Sequence, residues 1–507
     1  MKTSSDELFQ LVSHLSLSEK RYCSLFLQKH SKSANRYQQL FRLLLKQEQY
    51  DVLRLKKAMK LSDRPAHFAV LKKQLYEQLL EALHQFDLFT NPEQQLQRGI
   101  HQCQLLLQRG LFSQCEKRIG RFWKQAVQMN HHEAQLQLQH LKMMMMARNY
   151  YKTGQPNALE AWQQKTNSIL SELQSASHYR YLSSKVYKMQ YEAGDRGKEL
   201  ATKMKTIVSR PEFTNEKHAD TLRAKLDFLQ VRALYHFTNS ENKKAASFNS
   251  RFLKLLEENP LLLELHADRY FSVLNNYLID CLLLKNFKEL NSGLQKMRSL
   301  TGQTAFRRLI NFDANVFRLG YLIELNAYFA TGNFREMKKQ FRTITKGLEQ
   351  FGNRVVKHNR ITIQYLMAYG SFALGEYDNA IDYLYPILQE KESAVAENIQ
   401  QAARMLQLLS HFEKGDFLFT ESLVKSLRRM FRNDGAELQR AMLSFILTII
   451  HKHAKDPGAW EKMERKVEML SKKASVQSAL NLFDFNVWLK QHRTGKKFEE
   501  VWLEKLH

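Results

Sequence analysis

Reactive side chains are where chemistry would first show itself, and in this chain they are scattered. The four cysteines, Cys23, Cys103, Cys115 and Cys281, form no Cys-x-x-Cys pair and no metal-ligand spacing. Each falls among apolar neighbours in helix-forming sequence, which predicts buried free thiols in a reducing compartment. Histidines gather at His131-His132-Glu133 and at His451 and His453. A zinc site needs further ligands at matching spacing, and neither group has the cysteine or carboxylate partners for one. The sequence contains no Gly-x-x-x-x-Gly-Lys or Gly-x-Gly-x-x-Gly phosphate cradle, no His-Glu-x-x-His and no Gly-x-Ser-x-Gly elbow. The expectation is a non-enzymatic protein with no catalytic residues, no cofactor and no metal.

Two other kinds of cluster could bind rather than react. Met143 to Met146 run consecutively; four neighbours point in every direction around a helix, so packing against helices on both sides is expected, since methionine fills irregular gaps well. Basic side chains gather as Lys56, Lys57, Lys60, Lys72 and Lys73, as Lys338, Lys339 and Arg342, and as Lys425, Arg428, Arg429 and Arg432. The last four share one face at helical spacing and would form a ridge able to grip an acidic partner. No exposed aromatics interleave with them, so stacking on single-stranded bases is not indicated.

The elements that must position these residues are helices. Only 18 Gly and 7 Pro interrupt 507 residues, and no sustained period-two alternation of Val, Ile and Thr marks a strand. Breakers recur. Gly110, Gly154, Gly194, Asn239, Asn286, Gly332, Gly375, Gly415, Gly458 and Gly495 follow one another at 44, 40, 45, 47, 46, 43, 40, 43 and 37 residues. A second set falls near mid-interval at Asn130, Ser175, Pro211, Pro260, Gly302, Gly352, Ser393, Gly435 and Ser475. Two breaks per period predict two antiparallel helices per repeat, because Gly and Asn accept the left-handed conformation that ends a helix and Pro cannot continue one. Six prolines, at 65, 92, 156, 211, 260 and 457, sit at predicted breaks; Pro386 should kink or shorten its helix. The fold class expected is all-α, an α-α superhelix or solenoid of about ten helical hairpins over 91–507, preceded by an N-terminal helical bundle over 1–90.

Through Ala368, Gly375, Tyr377 and Ala380, and the turns at 332–334 and 415–417, the chain resembles the tetratricopeptide repeat family. The likeness in architecture covers roughly 95–507 and in motif chiefly 321–431, although units here exceed the roughly 34 residues of that repeat. The resemblance implies a curved stack whose concave face binds peptides or helices, and it carries over no individual ligand residue.

The first 90 residues fall outside the repeat register. Helices are expected at 6–15, 18–29 with Ser18 as N-cap, 36–47, 50–60 and 66–86, the last burying a stripe of Phe68, Leu71, Leu75, Leu79 and Leu83. The Ser-Glu-Lys-Arg-Tyr start at Ser18 and the Lys-x-x-Leu-Tyr stretch ending at Tyr76 resemble the N-terminal region of repeat proteins common in Bacteroidota, a group that implies no particular activity. Helices 51–60 and 66–86 around Pro65 could be read as a DNA-binding helix-turn-helix. The second helix, however, presents His67, Lys73, Gln74, Glu77, Gln78 and Glu81, whose carboxylates would face phosphates unfavourably. A capping or docking bundle is the reading preferred.

The formal charge is +26, from 77 Lys and Arg against 51 Asp and Glu, which favours polyanions or acidic protein surfaces. It is spread along the chain: residues 1–90 hold 15 basic and 9 acidic side chains. No window offers 18 uncharged apolar residues, and the start lacks a basic segment followed by an apolar run, so a cytoplasmic protein without membrane contact is expected. Oligomeric state is set by nothing in this pattern. The leading expectation is an interaction scaffold holding a protein or peptide in a helical-repeat groove. Nucleic-acid or ribosome association and a peptide-sensing regulator are the alternatives.

Overall fold

The computed structural model describes residues 6–30, 34–47, 49–61, 65–148, 157–193, 197–390, 397–432, 436–452 and 457–506. Every regular element among them is an α-helix or a short 3-10 turn, so the fold is all-α. Two compact units result: Met1–Asp280 with Ser299–Phe312, and Cys281–Arg298 with Asp313–His507.

The first unit opens with helices Glu7–Ser13, Leu17–His30, Ala34–Leu45, Val52–Ala58 and Pro65–Thr90. Leu8, Leu27, Phe41, Phe68, Leu75 and Leu79 form part of a core cluster of their own here. The expected N-cap at Ser18 is corrected to Ser16, whose hydroxyl accepts from the Glu19 amide while the Glu19 carboxylate accepts from the Ser16 amide at 2.7 Å. This reciprocal box needs the acid three residues after the cap, which Ser16 has and Ser18 does not. Asn91 ends the bundle by capping helix Pro92–Gln108.

Hairpins follow, and their turns share one hydrogen bond. The amides of Leu111, His131, Glu241, Asn286, Asn333, Glu376 and Asp416 each donate to the carbonyl five residues earlier. The residue before each amide has positive φ: Gly110, Asn130, Ser240, Lys285, Gly332, Gly375 and Gly415. This is the Schellman helix ending. At two turns the left-handed residue is displaced by one from the expected position, to Ser240 after Asn239 and to Lys285 before Asn286.

Ser175 breaks nothing. Helix Ala158–Ala193 runs unbroken for 36 residues, because Ile169, Ala176, Tyr179, Leu182 and Val186 keep one buried stripe continuous through that point. Gly458 and Ser475 likewise lie inside first helical turns, of Pro457–Leu470 and Ala474–Leu482. Pro386 sits in helix Tyr377–Gln389, which ends three residues later. The expected breaks at Gly154, Gly194, Ser393 and Gly435, and Pro156, lie outside the described residues.

In the second unit, helix pairs Phe312–Thr331 with Phe334–Phe351, Lys357–Ala373 with Tyr377–Gln389, Glu397–Glu413 with Phe417–Met430, and Glu437–Lys452 with Pro457–Leu470 succeed one another. The chain then returns. Tyr365 donates its hydroxyl to the Leu482 carbonyl at 2.9 Å, Trp488 its indole N–H to Glu413 at 2.6 Å, and Trp502 its indole N–H to the Phe329 carbonyl at 2.9 Å. Residues 482–502 thus lie across the leading helices of three successive pairs, with Phe483, Trp488 and Phe498 buried there.

Candidate functional site

Among the described residues, the reactive groups singled out in the sequence are buried or paired with a carboxylate. The four cysteines are buried and none forms a disulfide; burial pushes the Cys23 thiol up to about 12 and the Cys103 thiol up to about 11, which keeps both protonated. His131 pairs with Glu133 at 3.1 Å and buried His132 with Glu172 at 3.1 Å. His451 meets Glu421 at 3.0 Å, while His453 lies outside the described residues. Among the described residues no three His, Cys, Asp or Glu side chains converge as metal ligands. Met145 and Met146 are buried, and Met143 and Met144 half-buried.

Of the basic clusters, the N-terminal one is split: Lys56 and Lys72 lean over the Phe68 ring, while Lys57, Lys60 and Lys73 are exposed. Lys338 pairs with Glu376 and Lys339 with Glu336, leaving exposed Arg342 as the cation of that set with no ion pair among the described residues. Lys425, Arg428, Arg429 and Arg432 are all exposed, and no carboxylate pairs with them among the described residues. They project from helix Phe417–Met430 and the turn after it. The two sets stand on different helices.

A buried carboxylate in the second unit draws three donors: Glu413 takes Trp488 Nε1 at 2.6 Å, His492 Nε2 at 2.6 Å and the Tyr377 hydroxyl at 3.3 Å. Trp460 stacks on the His492 ring at 4.2 Å. This network joins the returning segment to the helix pairs. A cavity of about 440 Å³ nearby is bordered by Arg335, Lys338, Glu376 and Glu499, and these four charges already form two ion pairs.

The first unit contains a site of different character, a cleft of about 330 Å³. Helix Ala158–Ala193 brings Tyr187 and Gln190 to it, helix Leu222–Thr238 brings Gln230, Ala233, Leu234 and Phe237, helix Asn242–Glu257 brings Asn249, and helix Ala267–Leu283 brings Ser272, Val273, Asn276 and Ile279. Positions 230, 234 and 237 make one stripe of their helix, as do 272, 276 and 279 of theirs. Four carboxamides therefore face the cleft together with apolar side chains.

Two of those amides are anchored from behind. Asn249 donates through Nδ2 to Asp280 Oδ2 at 2.7 Å. Burial raises the Asp280 carboxyl to about 6, an effect the Asn249 bond offsets in part, and its other oxygen has no hydrogen-bond partner among the described residues. Gln230 accepts through Oε1 from Arg269, whose Nε lies 3.1 Å away. Arg269 also donates from Nη2 to Asp227 at 2.7 Å. Asp227 is almost wholly buried, and its second oxygen faces Arg180 at 3.5 Å.

Close by, Arg223 is held by Glu133; hydrogen bonding to His131, then a backbone hydrogen bond and the Arg223 charge, hold the Glu133 carboxyl down to about 2. Burial and the neighbouring Arg269 charge push the His266 imidazole down to about 4. The sequence reading missed this constellation. Its available signal was charge inside an apolar stripe: Asp227 stands among Ala224, Phe228 and Val231, and Arg269 lies 42 residues further on.

No protein-family model matches the chain, and neither does any curated protein or solved structure.

Proposed function

We propose that this chain is a non-enzymatic interaction protein, a tetratricopeptide-like stack of helical hairpins working in the cytoplasm, that holds a peptide segment of a protein partner in the cleft between Tyr187, Gln230, Asn249 and Asn276. The carrying observation is the lining of that cleft: four carboxamides and a serine hydroxyl beside Leu234, Phe237, Val273 and Ile279. Carboxamides both donate and accept, which matches the alternating amides and carbonyls of a peptide backbone, and the apolar neighbours suit its side chains. Anchoring of Gln230 and Asn249 lowers the entropy lost on binding. The absence of chemistry is supported by the Glu413–His492 pair, whose polar atoms already face Trp488 and Tyr377. The cytoplasmic assignment is supported by the four buried cysteines, none of which forms a disulfide.

A second reading, association with nucleic acid, is favoured by one observation, the exposed ridge of Lys425, Arg428, Arg429 and Arg432. One experiment separates the two: affinity purification from the native host at two salt concentrations, with and without nuclease, using the wild-type chain and a Tyr187→Ala/Asn276→Ala variant. Both residues are exposed, so the variant should fold. The expected result is a partner set that survives nuclease and high salt and falls at least tenfold with the variant, on the basis of about 1 kcal/mol per lost contact. Loss of all partners on nuclease treatment, or full retention by the variant, would overturn the proposal.

A further inference from the structure

Beside the cleft, behind its lining residue Gln230, two guanidiniums share one carboxylate. Asp227 faces two guanidiniums, Arg269 through one oxygen at 2.7 Å and Arg180 through the other at 3.5 Å, the latter too long for a hydrogen bond. Arg269 is largely buried, and its Nη1 has no hydrogen-bond partner among the described residues. A buried charged donor left unmet is costly, and Arg180, more than half exposed, is the guanidinium of the pair that a ligand can reach. The surplus lies next to the cleft itself: Gln230 both lines the cleft and accepts from Arg269, and Arg269 and Arg180 both act electrostatically on the hydroxyl of Tyr187, another lining residue. Beyond the amides, Leu234, Phe237, Val273 and Ile279 supply apolar wall.

We infer that the bound segment is an acidic one, in which a carboxylate meets Arg180, with the Arg269 charge behind it, while an adjacent apolar side chain lies against Phe237 and Ile279. This rests on the peptide-binding reading above and adds the chemistry of the ligand. A carboxylate fits better than a neutral amide because two forked guanidiniums offer only donors and carry charge that Asp227 alone leaves unbalanced. His266 does not compete for the anion: with its imidazole down at about 4 it stays neutral at pH 7.

The test uses the full chain and an array of nine-residue peptides that place Asp or Glu beside Leu or Phe. The same peptides with Asn or Gln serve as isosteres, and each is made with a free and an amidated C-terminus to tell a side-chain carboxylate from a terminal one. Acidic members should bind at least tenfold more tightly than their isosteres whether or not the terminus is amidated. Arg180→Gln, at a side chain 54% exposed and so tolerated by the fold, should abolish that preference. Asn276→Ala should weaken acidic and neutral peptides alike. Equal binding of acid and amide peptides, preference that follows only the free terminus, or preference that survives Arg180→Gln would overturn this inference and leave the peptide cleft standing. Binding of no peptide at all would overturn both.

Discussion

Asp280 brings a carboxyl into a place where, among the described residues, Asn249 is its one hydrogen-bond donor. Burial outweighs that bond and raises its folded value from the ordinary 3.8 to about 6. The folded chain therefore binds this proton more tightly than the unfolded one. Stability from this group is full below about pH 4 and declines as pH rises from about 4 to about 6, by about 3 kcal/mol at 1.36 kcal/mol per pH unit. Asp280→Asn keeps the shape and the Asn249 contact and removes the ionisation. Unfolding of the two proteins by denaturant from pH 4 to pH 8 should give curves that agree at the acid end and separate above pH 5, with the variant more stable at pH 7. Superimposable profiles would contradict the assignment. The same residue shows why the site was hidden from sequence: an Asp in the pattern Asn275-Asn276-Tyr277-Leu278-Ile279-Asp280 reads as the polar face of a helix, and only its packing against Asn249, 31 residues earlier, makes it a buried anchor.

Between elements, close approach is arranged by glycine at a few contacts. In the pair Pro92–Gln108 and Phe112–Gln128, a Cβ on Gly99 would come within 2.2 Å of the buried Phe122 ring, while one on exposed Gly120 would meet nothing within 4 Å. Gly99→Ala should therefore cost about 1–3 kcal/mol by overpacking, and Gly120→Ala should gain about 0.5–1 kcal/mol through helix propensity. Denaturant midpoints of the two single variants check this; a shift of the same sign in both would show that Phe122 moves aside freely. The hairpins themselves were legible because their endings need left-handed residues, and Gly110, Asn130, Gly332, Gly375 and Gly415 stand where they are needed. Ser175 misled because serine ends a helix only when the buried stripe also ends, and here the stripe continues. Ion pairs between helices some forty residues apart were legible only afterwards: Asp227 with Arg269, Glu264 with Arg308 and Asp313 with Arg354 are separated by 42, 44 and 41 residues. The return of residues 482–502 was not legible. Its aromatic residues match any buried helix, and their partners Phe329, Tyr365 and Glu413 lie between 75 and 173 residues away.

Over the whole molecule, the charge of +26 and the location of open binding surface argue in different directions. Many carboxylates are engaged with neighbouring cations, as in Arg493 with Glu464 and Lys473 with Glu437, so the basic surplus remains on solvated surface, where salt screens it. The ridge of Lys425, Arg428, Arg429 and Arg432 is the densest exposed group the sequence singled out, and its partner class is open to direct measurement. If those four cations acted together on a single-stranded oligonucleotide, replacing all four by Gln would reduce the slope of log affinity against log salt by about 3, at about 0.7 per phosphate neutralised. A charge dispersed over the chain predicts instead a change below about 1, because each ridge cation then acts as one of many interchangeable surface charges. The dispersed outcome is the one expected, since the exposed aromatics of that helix, Phe417 and Phe419, stand at its opposite end from the ridge and already pack against Phe412 and His411. In the same variant, partner capture through the Tyr187–Asn276 cleft should be unchanged. A slope reduced by about 3 together with loss of the captured partners would transfer the functional surface from the cleft to the ridge.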